Sequence, residues 1–262
     1  MASLNSFLES LMIQKRVIGA LILREVLTRY GRHNIGFLWM IIEPMMFTGG
    51  VTLIYSLRPM SHGGLTGAQM VLTGYSAILL WRNIPNRCLG ALEPNLSLFF
   101  HRMVKPLDVF LSRIILESIG AGISMIVLSL IYLSLGVVNF PVDILKVIEA
   151  WFLLAWYATA LSLFVGAIAS QTEIMDRVFH IIQYLMVGFS GSLFLVAWVP
   201  PPLQHIVLFV PTVHCNEMMR SGFFGSVEKF YYDVGYVVAF NMVLTLLGLA
   251  QVRYISKKVR PE

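Results

Sequence analysis

The sequence predicts an all-α integral membrane protein: six transmembrane helices, an N-terminal amphipathic interface helix, and outer re-entrant half-helices between spans five and six. Three observations predict it. The chain of 262 residues is 57% hydrophobic and only 13% charged, half the charge of an average soluble domain. Four stretches free of Asp, Glu, Lys and Arg, 118–138, 150–172, 178–199 and 234–252, reach the roughly 20 residues that cross a hydrocarbon core. Fifteen of the nineteen Lys and Arg fall on one side of the resulting topology. This composition excludes a disordered chain, a disulfide scaffold and a collagen-like fibre.

The elements follow in order. Residues 4–18 read as an amphipathic helix, with Leu4, Phe7, Leu8, Leu11, Met12 and Ile18 on one face. The opposite face carries Asn5, Glu9, Ser10, Gln14 and Arg16, and Lys15 must snorkel from the apolar side. Such a segment is expected in the plane of the membrane lipids, the alternative being an ordinary cytoplasmic helix packed on a partner. Residues 36–57 make a first span interrupted by Glu43-Pro44, and 65–81 a second that continues through Arg82. The four uncharged stretches supply spans three to six.

Short links at 58–64, 139–143 and 171–177 join the spans, with long ones at 91–108 and 200–233. Within the last, 203–210 is apolar but too short to cross and is bracketed by Pro200-Pro201-Pro202 and Pro211, the pattern of a re-entrant or interfacial half-helix pair. One domain, 1–262, results: an interface helix in 1–33, a six-span bundle in 34–254 and a tail in 255–262.

Six spans put both termini on one side. The basic residues on that side run from Lys15 to Arg260, against only Arg58, Lys146, Arg220 and Lys229 opposite. Both termini are therefore expected in the cytoplasm, in a multi-pass protein of the inner membrane. The net charge of +5 is accounted for by this bias, and no nucleic-acid partner is expected. The early apolar run 17–23 is short for a signal core and is closed by Arg24-Glu25 without a small-residue cleavage pattern. Cys88 and Cys215 fall on opposite sides of the membrane and are expected as free thiols.

Several chemistries are absent from the sequence. No G-x-x-x-x-G-K-[ST] run occurs, so nucleotide binding through a P-loop is excluded. No metal-spaced His or Cys cluster is present. Gly188-Phe189-Ser190-Gly191 superficially matches the serine motif of rhomboid-like proteases, but the following span carries no histidine base. No catalytic residue, metal or cofactor is assigned to this chain.

Polar groups inside spans are costly and mark a pathway or a pair. Arg82, Asn83, Asn86 and Arg87 recur at helical spacing and form one polar stripe on the second span. That stripe lines a pore for an anionic substrate, or meets the cytoplasmic headgroups with its arginines snorkelling. Glu43 pairs with Arg82 or faces the cavity. Phe37, Trp39, Phe47, Tyr184, Phe189 and Phe194 could stack on sugar rings or face lipid. Arg113 and Glu117, four apart, are expected to form a helical ion pair.

The run Arg24-Glu25, Arg29-Tyr30, Ile35-Gly36-Phe37-Leu38-Trp39 and Glu43-Pro44 resembles the start of the first span of ABC-2 type permeases. Within that group it is similar to the inner-membrane permeases of capsular polysaccharide exporters. Tyr75 to Arg82, then Asn95, Phe99, Lys105 and Pro106, continue the pattern. So do Ser190-Gly191 to Phe194 and Pro211, His214, Glu217, Arg220 and Phe224-Gly225. One departure is Glu173-Ile174-Met175-Asp176-Arg177, where the family pattern leads one to expect a more basic turn.

The resemblance implies a homodimer with two copies of a separate ATPase subunit, which binds the ATP and Mg that this chain does not. It implies ATP-driven export of a lipid-linked acidic polysaccharide, with a periplasmic adaptor and an outer-membrane export protein as further partners. Substrate-pathway candidates are Arg82, Asn83, Asn86, Glu43, Trp39, Phe37, Tyr184 and Phe189. Candidates for coupling to the ATPase, in the 91–108 link, are Asn95, Phe99, Arg102 and Lys105. Export of another polymer (O-antigen or teichoic acid) or small-molecule efflux by the same fold are the rivals. A membrane enzyme or a non-transporting scaffold is the alternative of another class.

Overall fold

The structure is a computed structural model, describing residues 2–30, 35–56, 64–100 and 104–258. Among these, nine α-helices succeed one another: α1 (Ala2–Tyr30), α2 (Ile35–Ser56), α3 (Gly67–Cys88), α4 (Pro106–Ser134), α5 (Ile144–Ala169), α6 (Glu173–Phe189), α7 (Pro201–Val207), α8 (Pro211–Phe224) and α9 (Val234–Lys258). A 3-10 segment, Glu93–Phe100, lies between α3 and α4, and a short one, Val196–Trp198, precedes α7.

Local signals explain the helix starts. Thr66 and Gln69 form a reciprocal capping box at the start of α3. Asp108 accepts the Lys105 N–H at 2.9 Å beside Pro106, which opens α4. Asp143 caps α5 by accepting the Lys146 N–H at 3.0 Å.

Among the described residues, three helices are long and apolar enough to cross a membrane: α4, α5 and α9. The helix expected over 178–199 is shorter, because α6 stops at Phe189. There the Ser190 hydroxyl turns back onto the Val187 carbonyl at 2.8 Å and Gly191 takes φ +72°, a left-handed conformation that ends a helix. Seventeen residues give a rod of only about 26 Å. The N-terminal helix continues well past the expected 4–18, through Arg24, Glu25 and Arg29. Leu4, Phe7 and Leu8 have side chains outside the described set, while Leu11 and Met12 of the same stripe are exposed. Both cysteines are free and buried.

Helix α5 is the hub, packing on α3, α8 and α9. Small residues allow this: Ala150, Ala158, Ala160 and Ala167 are buried, and a Cβ added to Gly166 would lie 2.9 Å from Phe110. Trp156 donates to the Thr245 hydroxyl at 2.9 Å and Asn241 to the Leu153 carbonyl at 3.0 Å, joining α5 to α9 in the manner of packed membrane helices.

The irregular segment after α6 is held by two buried side chains of α8. The Arg220 guanidinium donates to the carbonyls of Gly191 at 2.7 Å, Phe194 at 2.8 Å and Ser192 at 2.5 Å, and to the Thr73 hydroxyl at 3.3 Å. Glu217 does the converse, accepting the backbone N–H groups of Val196 at 3.1 Å and Tyr231 at 3.0 Å. Asn216 and Thr212 both donate to the Ser190 carbonyl. Gly74 permits the approach, since a Cβ there would sit 1.7 Å from the Ser192 oxygen. Leaving a buried hydrogen-bonding group unsatisfied costs about 1–3 kcal/mol, and Arg220 serves several. Arg220→Met should therefore lower the thermal unfolding midpoint of the detergent-solubilised protein by many degrees, whereas Lys229→Met, at an exposed lysine, should leave it unchanged.

Candidate functional site

The stripe on α3 forms the wall of a cavity of about 300 Å³. Arg82, Asn83, Asn86 and Arg87 line it from α3, Glu43, Pro44 and Phe47 from α2, and Glu117 from α4. The structure thus brings four of the pathway candidates, Arg82, Asn83, Asn86 and Glu43, into one space. Glu43 faces the cavity, and no ion pair between it and Arg82 is formed among the described residues. The Tyr184 ring of α6 lies under the Arg82 guanidinium, 4.7 Å from ring centroid to carbon, a cation–π contact. Gln183, beside it and buried, donates to the Arg82 carbonyl at 2.9 Å. Trp39 and Phe189 are exposed on the exterior instead. The side chain of Phe37 lies outside the described residues.

Tyr75 and Leu79 also line the cavity. They precede Arg82 by seven and three residues, so helical periodicity carried one and two turns further along α3 would have found both. Pro85 sits inside α3 and takes one N–H out of the helical ladder at the level of the stripe.

Arg87 and Glu117 of the cavity wall belong to a charge cluster that local spacing did not reveal. Arg113 and Glu117 do not pair with each other. Glu117 is salt-bridged to Arg29 of α1 and, at 3.3 Å, to Arg87 of α3. Arg113 turns to Glu25 of α1 at 3.3 Å and donates to the Arg87 carbonyl at 2.7 Å. Glu25 and Arg29 are themselves paired at 2.7 Å. The expected (i, i+4) pair gives way because α1 and α3 both offer opposite charges to α4 from across the interface. Burial alone would depress the Arg29 guanidinium, but the carboxylates of Glu117 and Glu25 outweigh it and raise its pKa.

The same helix α1 reaches the 3-10 segment. Arg24 donates to the Asn95 side-chain oxygen at 2.7 Å, and Asn95 donates to the Ala91 carbonyl at 2.8 Å. Gln14 donates to Asp108 at 2.9 Å. Of the coupling candidates, Asn95 and Phe99 are buried, Lys105 is exposed at the start of α4, and Arg102 lies outside the described residues. The outward face of the segment carries Leu96 and Phe100, both strongly exposed. The two pairs are each four apart, Asn95 and Phe99 inward and Leu96 and Phe100 outward.

At the other end, His214 bridges two elements. One ring nitrogen accepts the Asp233 N–H at 2.9 Å, so the other carries the proton it shares with the Leu208 carbonyl at 2.7 Å. Tyr236 stacks against the ring at 5.0 Å. The serine of the protease-like motif, Ser190, is engaged with the Val187 carbonyl and the Ser192 hydroxyl.

Residues 16–224 match the ABC-2 type transporter family. The chain is 42% identical over 259 residues to the capsule polysaccharide export inner-membrane protein CtrC of Neisseria meningitidis serogroup A, covering 98% of both proteins. It is 38% identical, with the same coverage, to BexB of Haemophilus influenzae, which carries the same description. It is 28% identical to the polysialic acid transport protein KpsM of Escherichia coli, covering 92% of this chain and 94% of that one. With most of its length inside the family match and near-complete relatives at this identity, the chain belongs to the ABC-2 type transporter family.

Proposed function

We propose that this chain is the inner-membrane permease subunit of an ATP-driven exporter of lipid-linked acidic capsular polysaccharide. The observation that carries this reading is the cavity of α2, α3 and α4, with Arg82 held open to an anionic cargo, inside a chain similar end to end to capsule export proteins. In this reading α2, α3, α4, α5, α6 and α9 are the six spans, and α7 with α8 is a re-entrant pair. The basic asymmetry of the loops supports cytoplasmic termini. Two copies of the chain form the working dimer, and two copies of a separate ATPase bind ATP and Mg. A periplasmic adaptor and an outer-membrane export protein complete the route.

The contacts supply a path for mechanical coupling. An ATPase seated on Leu96 and Phe100 would push the 3-10 segment. Arg24–Asn95 passes that displacement to α1, and Arg29–Glu117 and Glu25–Arg113 pass it to α4. Glu117 and its partner Arg87 are themselves part of the cavity wall. A closing motion of the motor therefore reaches the cargo-facing residues through named ion pairs. Arg82 interacts with the cargo electrostatically, and Tyr184 holds its guanidinium without neutralising it.

Four measurements test this. Arg82→Ala should reduce surface capsule at least fivefold at normal protein level; unchanged export would take Arg82 out of the pathway. Leu96→Asp with Phe100→Asp should abolish co-purification of the ATPase while the unfolding midpoint stays put. Asn95→Ala should instead lower stability, by about 1–3 kcal/mol, because the buried end of Arg24's hydrogen bond is lost. For topology, a membrane-impermeant thiol reagent applied to intact spheroplasts should label a Lys146→Cys variant and spare Lys257→Cys.

A further inference from the structure

We propose that α4 and α5, near the turn that joins them, hold one phospholipid whose head group carries both a primary ammonium and a phosphate. Two neighbouring spaces make the site. Below the turn, the helices diverge around an apolar groove of about 540 Å³, walled by Ile126, Leu130 and Leu133 of α4 and by Ile148, Trp151 and Phe152 of α5. Above it lies a polar space of about 920 Å³ that includes Asp143, Lys146, Ser221 and Glu228. Phe140, Pro141 and Ile144 line both, so one amphiphile can occupy the two together.

The groove belongs to the two most apolar membrane-length helices among the described residues. An acyl chain is therefore the material that meets it, and Leu130 and Phe152 are exposed along it. Its floor is closed by the buried side chains of Met125 and Phe223. The polar space is not a loose loop. The Asp143 N–H donates to the Gly222 carbonyl at 2.9 Å and the Val142 N–H to the Phe223 carbonyl at 3.4 Å, pinning the turn on α8. Gly222 permits that contact, since a Cβ there would lie 2.9 Å from the Asp143 oxygen.

Charge selects the head group. Among the described residues, Lys146 is the one cation lining the polar space, and Asp143 and Glu228 are its two carboxylates. Asp143 is already used, capping α5 and lying 3.5 Å from the Lys146 ammonium. Glu228 makes no ion pair among the described residues. A purely anionic head group would add a negative charge to a space with an acidic excess. One bearing phosphate and ammonium places its phosphate on Lys146 and the Ser221 hydroxyl, and its ammonium on Glu228. A primary ammonium donates hydrogen bonds to that carboxylate that a trimethylated one cannot. The site depends only on α4 and α5 crossing the membrane, not on what the chain exports.

The test is native mass spectrometry of the full-length protein released from detergent micelles doped with equal amounts of dioleoyl phosphatidylethanolamine, phosphatidylcholine and phosphatidylglycerol. The expected result is one retained lipid per chain, phosphatidylethanolamine, favoured at least fivefold over each of the others. Glu228→Gln should erase the preference over phosphatidylcholine. Leu130→Trp, which fills the groove, should reduce retention of all three lipids. Equal retention of the three by the unaltered protein, or preference for the anionic one, overturns the proposal without reliance on any variant. So does a Leu130→Cys disulfide that links two chains with no lipid retained, which would mean that a second copy covers the groove.

Discussion

A backbone that leaves the helical ladder amid apolar surroundings must find partners for every N–H and C=O it frees, and the buried part of α8 exists to meet that demand. Residues 190–195 run without helix between α6 and the 3-10 turn Val196–Trp198. Arg220, fully buried, supplies donors to three of their carbonyls, and Glu217, three residues earlier and also fully buried, supplies acceptors to stranded N–H groups on either side. Neither side chain is excused by an ion pair; each is occupied by backbone. Removing Arg220 would take the donor from three carbonyls, and removing Glu217 the acceptor from two N–H groups. The position of α3 depends on the same arrangement, because Thr73 and Gly74 are where the clamped loop touches it. The face of α3 that carries Arg82 is thereby aimed away from α8 and toward α2.

The opposite end of α3 is fixed mainly by charge. Three arginines and two glutamates from α1, α3 and α4 share one cluster. Such pairs contribute little where solvent screens them, but Glu117 and Arg29 are mostly shielded. Arginine suits the role, since its fork can serve one carboxylate and a helix-end carbonyl together, as Arg113 does. A network of this kind is strong in compression and open to rearrangement. In the export reading, α1 can transmit a push without losing its seat.

How much of this was legible in the sequence follows from which interactions are local. The three long spans α4, α5 and α9 were readable because uncharged length is itself the signal. The stripe from Arg82 to Arg87 was readable because helical spacing puts its members on one face before any fold is known. The partners of Arg113 and Glu117 were not, since the nearest opposite charge along the helix lost to charges from helices distant in sequence. The end of α6 was hidden in an apolar run: Leu193 to Val199 is as hydrophobic as a helix would be, and only the hydroxyl of Ser190 and the left-handed Gly191 stop it. Asn95 and Phe99 carried the family resemblance, yet they are buried, and their neighbours Leu96 and Phe100 face outward. A motif marks where a segment is constrained, and burial constrains a residue as firmly as contact with a partner does.

The cavity adds a last step to this argument. Its two acidic members are not equivalent. Glu117 is saturated by Arg29 and Arg87, whereas Glu43 has no ion pair among the described residues. Its basic members divide likewise: Arg87 is committed to Glu117, and Arg82 lies over an aromatic ring that stabilises a cation while leaving its charge uncancelled. The groups left to act on a passing chain are thus one cation and one anion facing the same space from α3 and α2. An acidic polymer would be drawn by Arg82 and kept from binding too tightly by Glu43. Conduction has the same requirement in any polymer path, since a residue that attracts cargo without a nearby counterweight traps it. In the export reading, the combination of Arg82 and Glu43, rather than the positive charge alone, would suit this cavity to movement instead of storage.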